Sequence, residues 1–185
     1  MKKKTILSAL FLAGILFTGC SNGDDTPIAV NEEEVITTLT VTLSPVGGGT
    51  AITLQTRDLD GDGPNAPEVT VSGNLAAGTQ YNGSLSVLNE TVTPAENITE
   101  EVEGESAEHQ FFYTVGSGLD VSTAYENFDG NGNPLGTEFT LTAGAVSSGT
   151  LTFTLRHEPK KPNDGSLADA GGETDLAATF NIAVE

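Results

Sequence analysis

Val35-Ile36-Thr37-Thr38-Leu39-Thr40-Val41-Thr42-Leu43 alternates two sets of residues. Val35, Thr37, Leu39, Val41 and Leu43 fall on one side of an extended chain, and Ile36, Thr38, Thr40 and Thr42 on the other. Side chains of a strand point alternately to its two faces, and β-branched residues suit a half-buried pleated surface, so the stretch predicts a strand. Ser44-Pro45-Val46-Gly47-Gly48-Gly49 follows with turn chemistry, and residues 51–57 continue as a second strand, which makes a hairpin.

The same signal recurs at residues 68–72, 81–89, 110–115, 121–125, 138–142, 150–156 and 176–184, separated by Gly-rich or Asn/Asp-rich turns. About nine short strands without an alternating strand–helix pattern predict an all-β fold, an antiparallel immunoglobulin-like β-sandwich spanning residues 35–185. One choice of register turns Leu151, Phe153 and Leu155 inward against Leu85, Val87, Phe112 and Phe180. A single short helix interrupts the strands. Thr93-Pro94-Ala95-Glu96 reads as a capping box with proline at the first helical position, Ile98 and Val102 lie four apart, and Gly104 stops the run. Glu96, Glu100, Glu101 and Glu103 of this helix are expected to face water.

Upstream, Lys2, Lys3 and Lys4 precede an apolar run from Ile6 to Phe17, and Phe17-Thr18-Gly19-Cys20 leads into Ser21-Asn22-Gly23-Asp24-Asp25. About a dozen apolar residues fall short of the roughly 20 that a bilayer helix needs. A basic start, a short apolar core and small residues at a cut describe an export signal. Residues 17–20 resemble the lipobox of bacterial lipoproteins, although Phe17 stands where that family prefers leucine and Leu16 lies one place early. The resemblance implies removal of a signal peptide, residues 1–19, and acylation (palmitate-type lipid) of the Cys20 thiol. Cys20 is the one cysteine, so the chain forms no internal disulfide, and a lipid accounts for the odd thiol. The alternative is a free thiol after an ordinary cleaved signal. Residues 20–34, polar and acidic with Pro27, read as a lipidated flexible tether. Asp24-Asp25 resembles the acidic signals that carry Bacteroidota lipoproteins to the cell surface, and a solvated linker would look the same. The expected location is the cell envelope, anchored in the outer membrane, with either face of that membrane open.

Charge narrows the partners. All 26 acidic residues lie beyond Cys20, where Arg57, Arg156, Lys160 and Lys161 are the only Lys/Arg cations. Such a chain repels nucleic acid and anionic lipid surfaces and is expected to attract divalent cations, and an acidic surface that stays hydrated in a salty medium explains the same bulk charge. The chain has no Trp and only Tyr81, Tyr113 and Tyr125 as tyrosines, which leaves few rings for stacking sugars.

Two loops carry candidate metal ligands. In Asp58-Leu59-Asp60-Gly61-Asp62-Gly63 three carboxylates alternate around a turn whose glycines let carbonyls join, an arrangement suited to calcium. The spacing matches the first half of an EF-hand loop, then departs: Pro64 follows, and Val69 stands at the twelfth position with Glu68 one place early. The loop more closely resembles the Asp-rich calcium turns of extracellular modules. A plain Asp/Gly turn that bonds its own backbone is the alternative. Asp129-Gly130-Asn131-Gly132-Asn133 offers one carboxylate and two amides, a weaker set of Asp129, Asn131 and Asn133 that Asn-Gly turn chemistry also explains. At one end of a sandwich the two loops could share one ion.

Catalytic signals are sparse. His157-Glu158-Pro159 does not extend to a His-Glu-x-x-His motif, and His109 has no assignable nucleophile partner. Both histidines read as surface or strand-end residues, and no enzyme activity is expected.

Asp58–Gly63, Pro94-Ala95-Glu96, Glu108-His109-Gln110-Phe111-Phe112-Tyr113, Leu155-Arg156-His157-Glu158-Pro159 and Ala170-Gly171-Gly172-Glu173-Thr174-Asp175 resemble segments of small acidic lipoproteins of marine Bacteroidota. Proteins of that kind often carry the label "type 1 periplasmic binding fold superfamily". Two α/β lobes would follow from the label, whereas the strand pattern here predicts one all-β domain. The expectation is a non-enzymatic lipid-anchored lipoprotein, a calcium-stabilised binding or adhesion module for a protein or glycan partner. The alternative is an accessory lipoprotein that captures glycan or peptide nutrients, with a pocket lined by Tyr81, Tyr113 or Tyr125 beside the acidic loops.

Overall fold

The structure, a computed structural model, describes residues 34–61 and 63–185. The expected export signal, Cys20 and Asp62 of the first acidic loop lie outside the described residues. Ten strands and two short helices follow in order: β1 Thr38–Pro45, β2 Ile52–Arg57, β3 Glu68–Val71, β4 Gln80–Asn89, β5 Glu96–Asn97, α1 Ile98–Gly104, β6 His109–Val115, β7 Val121–Tyr125, β8 Glu138–Ala143, β9 Ser147–His157, α2 Leu167–Ala170 and β10 Glu173–Val184. One sheet has the order β3-β2-β1-β4-β8-β7, with β5 paired to β4, and the other has the order β10-β9-β6. Every strand pairing is antiparallel.

The alternation that predicts β1 survives in three dimensions. Leu39, Val41 and Leu43 are fully buried, and Thr40 and Thr42 lie toward the outer face. They meet Leu54, Leu85, Val87, Phe139 and Leu141 of their own sheet and Phe111, Leu151, Phe153, Leu155, Phe180 and Ile182 of the other in one core. Each such side chain contributes about 1.5–3 kcal/mol on leaving water. The centre of the core is aromatic: the Phe153 ring lies 5.7 Å from Tyr113, 5.8 Å from Phe139 and 6.0 Å from Phe180. Gly83 belongs to this packing, because a Cβ there would meet the Phe139 ring at 2.3 Å.

Two expectations are corrected. The inward register for β6 is that of Phe111, with Phe112 buried on the opposite face outside the main core. The strand is covered on both sides, since Gln110 on the Phe112 side is fully buried and its amide oxygen accepts from Asn163 Nδ2 at 2.8 Å. A doubly covered strand has no polar face to reveal its parity. The helix starts at Ile98, not Pro94, and Thr93 does not cap it; Asn97 precedes it without a side-chain capping bond. Glu96 and Asn97 pair with Asn89 and Leu88 of β4, so ladder hydrogen bonds claim the residues that a capping box would use. Ile98 and Val102 are buried, and Glu96, Glu100, Glu101 and Glu103 are exposed.

Candidate metal centre

The described histidines meet inside the sandwich rather than at its surface. His109 opens β6, His157 closes β9, and the two are register partners on neighbouring strands. Both share the inward parity of Phe111 and Leu155, so their rings enter the end of the core and stack at 4.6 Å with 26° between planes. His109 is 0% exposed and His157 4%, which corrects the surface reading of both. Asp175 reaches the same point from β10. The ladder to β9 slips between Thr174 and Leu176, and the bulge leaves Asp175 as the extra residue and turns its carboxylate inward. Its side chain is 1% exposed, and its Oδ1 lies 4.0 Å from His157 Nδ1. Glu34, just before β1, completes the group with Oε1 3.0 Å from His109 Nε2. One ligand atom from each of Glu34, His109, His157 and Asp175 falls within 4.8 Å of every other.

Hydrogen bonding decides what faces what. His109 Nδ1 lies 3.3 Å from the Glu105 carbonyl oxygen, which only accepts. The ring proton of neutral His109 therefore sits on Nδ1, and Nε2 presents a lone pair. That lone pair faces a carboxylate oxygen, and His109 Nε2, His157 Nδ1 and Glu34 Oε2 are buried without a hydrogen-bond partner among the described residues. Buried acceptors that confront each other are satisfied by a shared proton or by a bound cation. Two imidazole nitrogens and two carboxylate oxygens suit a zinc-type ion in tetrahedral coordination, whose ligand atoms lie about 3.4 Å apart; the separations here bracket that value. The Nδ1–H···O=C bond to Glu105 is the outer contact that orients such a ligand. Calcium is a poorer match, because it takes six to eight oxygens. Catalytic zinc keeps one position open, whereas four protein donors with side chains at most 10% exposed make a closed set.

Backbone and charge around the cluster are specific. Gly172 has φ +71°, and a Cβ on it would lie 2.3 Å from the His157 carbonyl oxygen, so the turn into β10 approaches His157 as only glycine allows. The α1 side is acidic. Partial desolvation first, and then the like charges of Glu96, Glu34 and Glu105, push the Glu101 carboxyl up.

Among the described residues, the acidic loops predicted from sequence contribute no member to this cluster. Asp58 Oδ1 accepts from the backbone N–H groups of Asp60 and Gly61, and Asp60 Oδ2 from the backbone and side chain of Asn65. The hydrogen bonds from Asn65 hold the Asp60 carboxyl below its usual range. Asp129 Oδ1 accepts from the backbone N–H groups of Asn131 and Asn133, and Oδ2 lies 3.6 Å from Lys161 Nζ. Burial works against the Asp129 charge, but the bonds from Asn133 and Asn131 and the Lys161 ammonium outweigh it and hold the carboxyl low. The loops leave the same end of one sheet from β2 and β7, four strand spacings or about 19 Å apart, so sharing one ion is not built into the sheet. Tyr113 and Tyr125 are committed to the interior, where their hydroxyls donate to the Gly136 and Phe111 carbonyls.

Sequence reading misses all four residues of the cluster. Glu34 is one of three consecutive glutamates, and Asp175 is one acid among many. The usable signal was that the chain has only two histidines, each beside a glutamate on a strand end. No family model, curated protein or solved structure matches the chain.

Proposed function

We propose that this chain is a lipid-anchored protein of the cell envelope whose β-sandwich is a non-enzymatic module stabilised by a zinc-type ion. The observation that carries the metal is the buried His109 Nε2 lone pair, set by the Nδ1 contact to Glu105 and aimed at Glu34 beside His157 and Asp175. Closure of the four-donor set supports a binding and stabilising role over hydrolysis. The anchor rests on Lys2–Lys4, the apolar run and Cys20. The Asp58–Asp62 loop remains a separate calcium candidate, and the acidic surface is the face offered to a protein or glycan partner. Isothermal calorimetry of the full chain in detergent tests the metal. Zinc should bind saturably at one equivalent, and His109→Ala and His157→Ala should each remove most of the heat. Absence of zinc heat in the unaltered chain refutes the reading.

A second reading, nutrient capture, has one observation in its favour. A groove of about 650 Å³ is lined by Pro45, Ile52, Thr53, Asn74, Ala76 and Tyr81. It lies at the β1–β2 turn, away from the acidic loops, and Tyr81 is only 2% exposed with its hydroxyl accepting from Ala76 N–H.

A further inference from the structure

Three of the four metal donors belong to strands of one sheet: His109 on β6, His157 on β9 and Asp175 on β10. These strands are tied to each other along their whole length, with eleven register pairs between β10 and β9 alone. Glu34 is different. It lies outside any strand, and the regular hydrogen bonding of its segment begins at Thr37, whose N–H and hydroxyl donate to the Leu88 carbonyl. Between them, Val35 is 55% exposed and Ile36 packs partly against the core. Glu34 thus reaches from the entry of β1, in one sheet, to a histidine of the other. Glu101 of α1 lies close enough to act on Glu34 as a like charge, which favours release of the Glu34 carboxylate when no cation holds it.

Resting on the metal reading above, we infer that the ion is a latch: its occupancy decides whether residues 34–36, the last step of the chain between Cys20 and the sandwich, are docked across the two sheets. The recognised chemistry is a divalent cation of zinc type, bound by a preformed three-donor face and closed by Glu34 as the fourth donor. An ion of this charge offsets the two carboxylates and the repulsion between Glu34 and Glu101. The occupied protein holds the entry to β1 against His109. The empty protein keeps it by hydrogen bonds only from Thr37 onward.

The test uses the absence of tryptophan from the chain. A Val35→Trp variant places one tryptophan on an exposed position next to Glu34, and its fluorescence anisotropy reports local order while calorimetry reports binding. Zinc should raise the anisotropy in the Val35→Trp chain. With Glu34→Ala added, zinc should still bind through His109, His157 and Asp175, weakened by about 10-fold or more, and the anisotropy rise should vanish. Zinc binding with no anisotropy change, or with an equal change in both chains, overturns the latch and leaves the metal site standing. No zinc binding in either chain overturns the metal reading and the latch together.

Discussion

Replacing Gly172 by alanine should destabilise the domain far more than the same change at Gly78, although both glycines have φ +71°. The shared part is backbone strain. An alanine in the left-handed region costs about 1–2 kcal/mol, offset by about 0.4–1 kcal/mol from the stiffer unfolded chain. Gly78 has nothing within 4 Å of an added Cβ, so its variant should lose about 1 kcal/mol. At Gly172 the added Cβ would lie 2.3 Å from the His157 carbonyl oxygen and 3.0 Å from Glu158 C and Pro159 N. The backbone has to part by close to an ångström at a point joined to the Asp175 bulge, an overpacking cost of about 2 kcal/mol. Gly172→Ala should therefore lose about 3 kcal/mol, which for a domain of this size lowers Tm by about 6–12 °C, against about 2–4 °C for Gly78→Ala. Differential scanning calorimetry of both variants, with and without zinc, reads the contrast. Zinc should also rescue Gly172→Ala less than the unaltered chain, because the shift moves His157 relative to Asp175. Equal melting points for the two variants would refute the argument that close approach at His157, and not φ alone, requires this glycine.

Phe153→Ala removes the ring at the centre of the aromatic core and should cost about 3–5 kcal/mol in urea unfolding, whereas a change within 1 kcal/mol would mean that the ring cluster is not the centre of packing. The Arg57 guanidinium, bonded to both carboxylate oxygens of Glu90, holds the Glu90 carboxyl down to about 2 from an ordinary 4.5, and Thr38 adds a further bond. A depressed folded value means stability that is present above about 4.5 and lost as pH falls toward 2, so Glu90→Gln should narrow the gap in Tm between pH 6 and pH 3; an unchanged gap would show that the pair is not coupled to folding. Calcium titration of the full chain should give saturable heat at about 10⁻⁴–10⁻³ M that Asp58→Ala or Asp60→Ala abolishes, and silence in the unaltered chain would reduce that loop to a self-bonded turn.

Strand positions were legible because each depends on local alternation. Val121–Tyr125 is found where residues 121–125 predict it, and β2, β4 and β8 shift by a residue at an end. The helix start was not legible, since pairing of Glu96–Asn97 with β4 is a contact with residues seven and nine positions earlier that overrides local capping chemistry. The turn at Asp129 could be read from Asn-Gly spacing, but the partner of its carboxylate, Lys161, comes from a distant loop.

By itself the sequence determined an all-β chain, an acidic surface, a lone cysteine behind an export-like signal, and the hairpin that starts the sandwich. These follow from composition and from periods of two, which neighbouring residues set among themselves. Only tertiary structure decided the strand order, the parity of β6 and the cluster of Glu34, His109, His157 and Asp175. Those four stand on four different segments, and 141 positions separate the first from the last. They meet because three antiparallel strands end together at one edge of the core and the entry to the opposite sheet passes that edge. A register slip at Asp175 and a glycine against His157 complete the approach, and neither leaves a periodic mark in the chain.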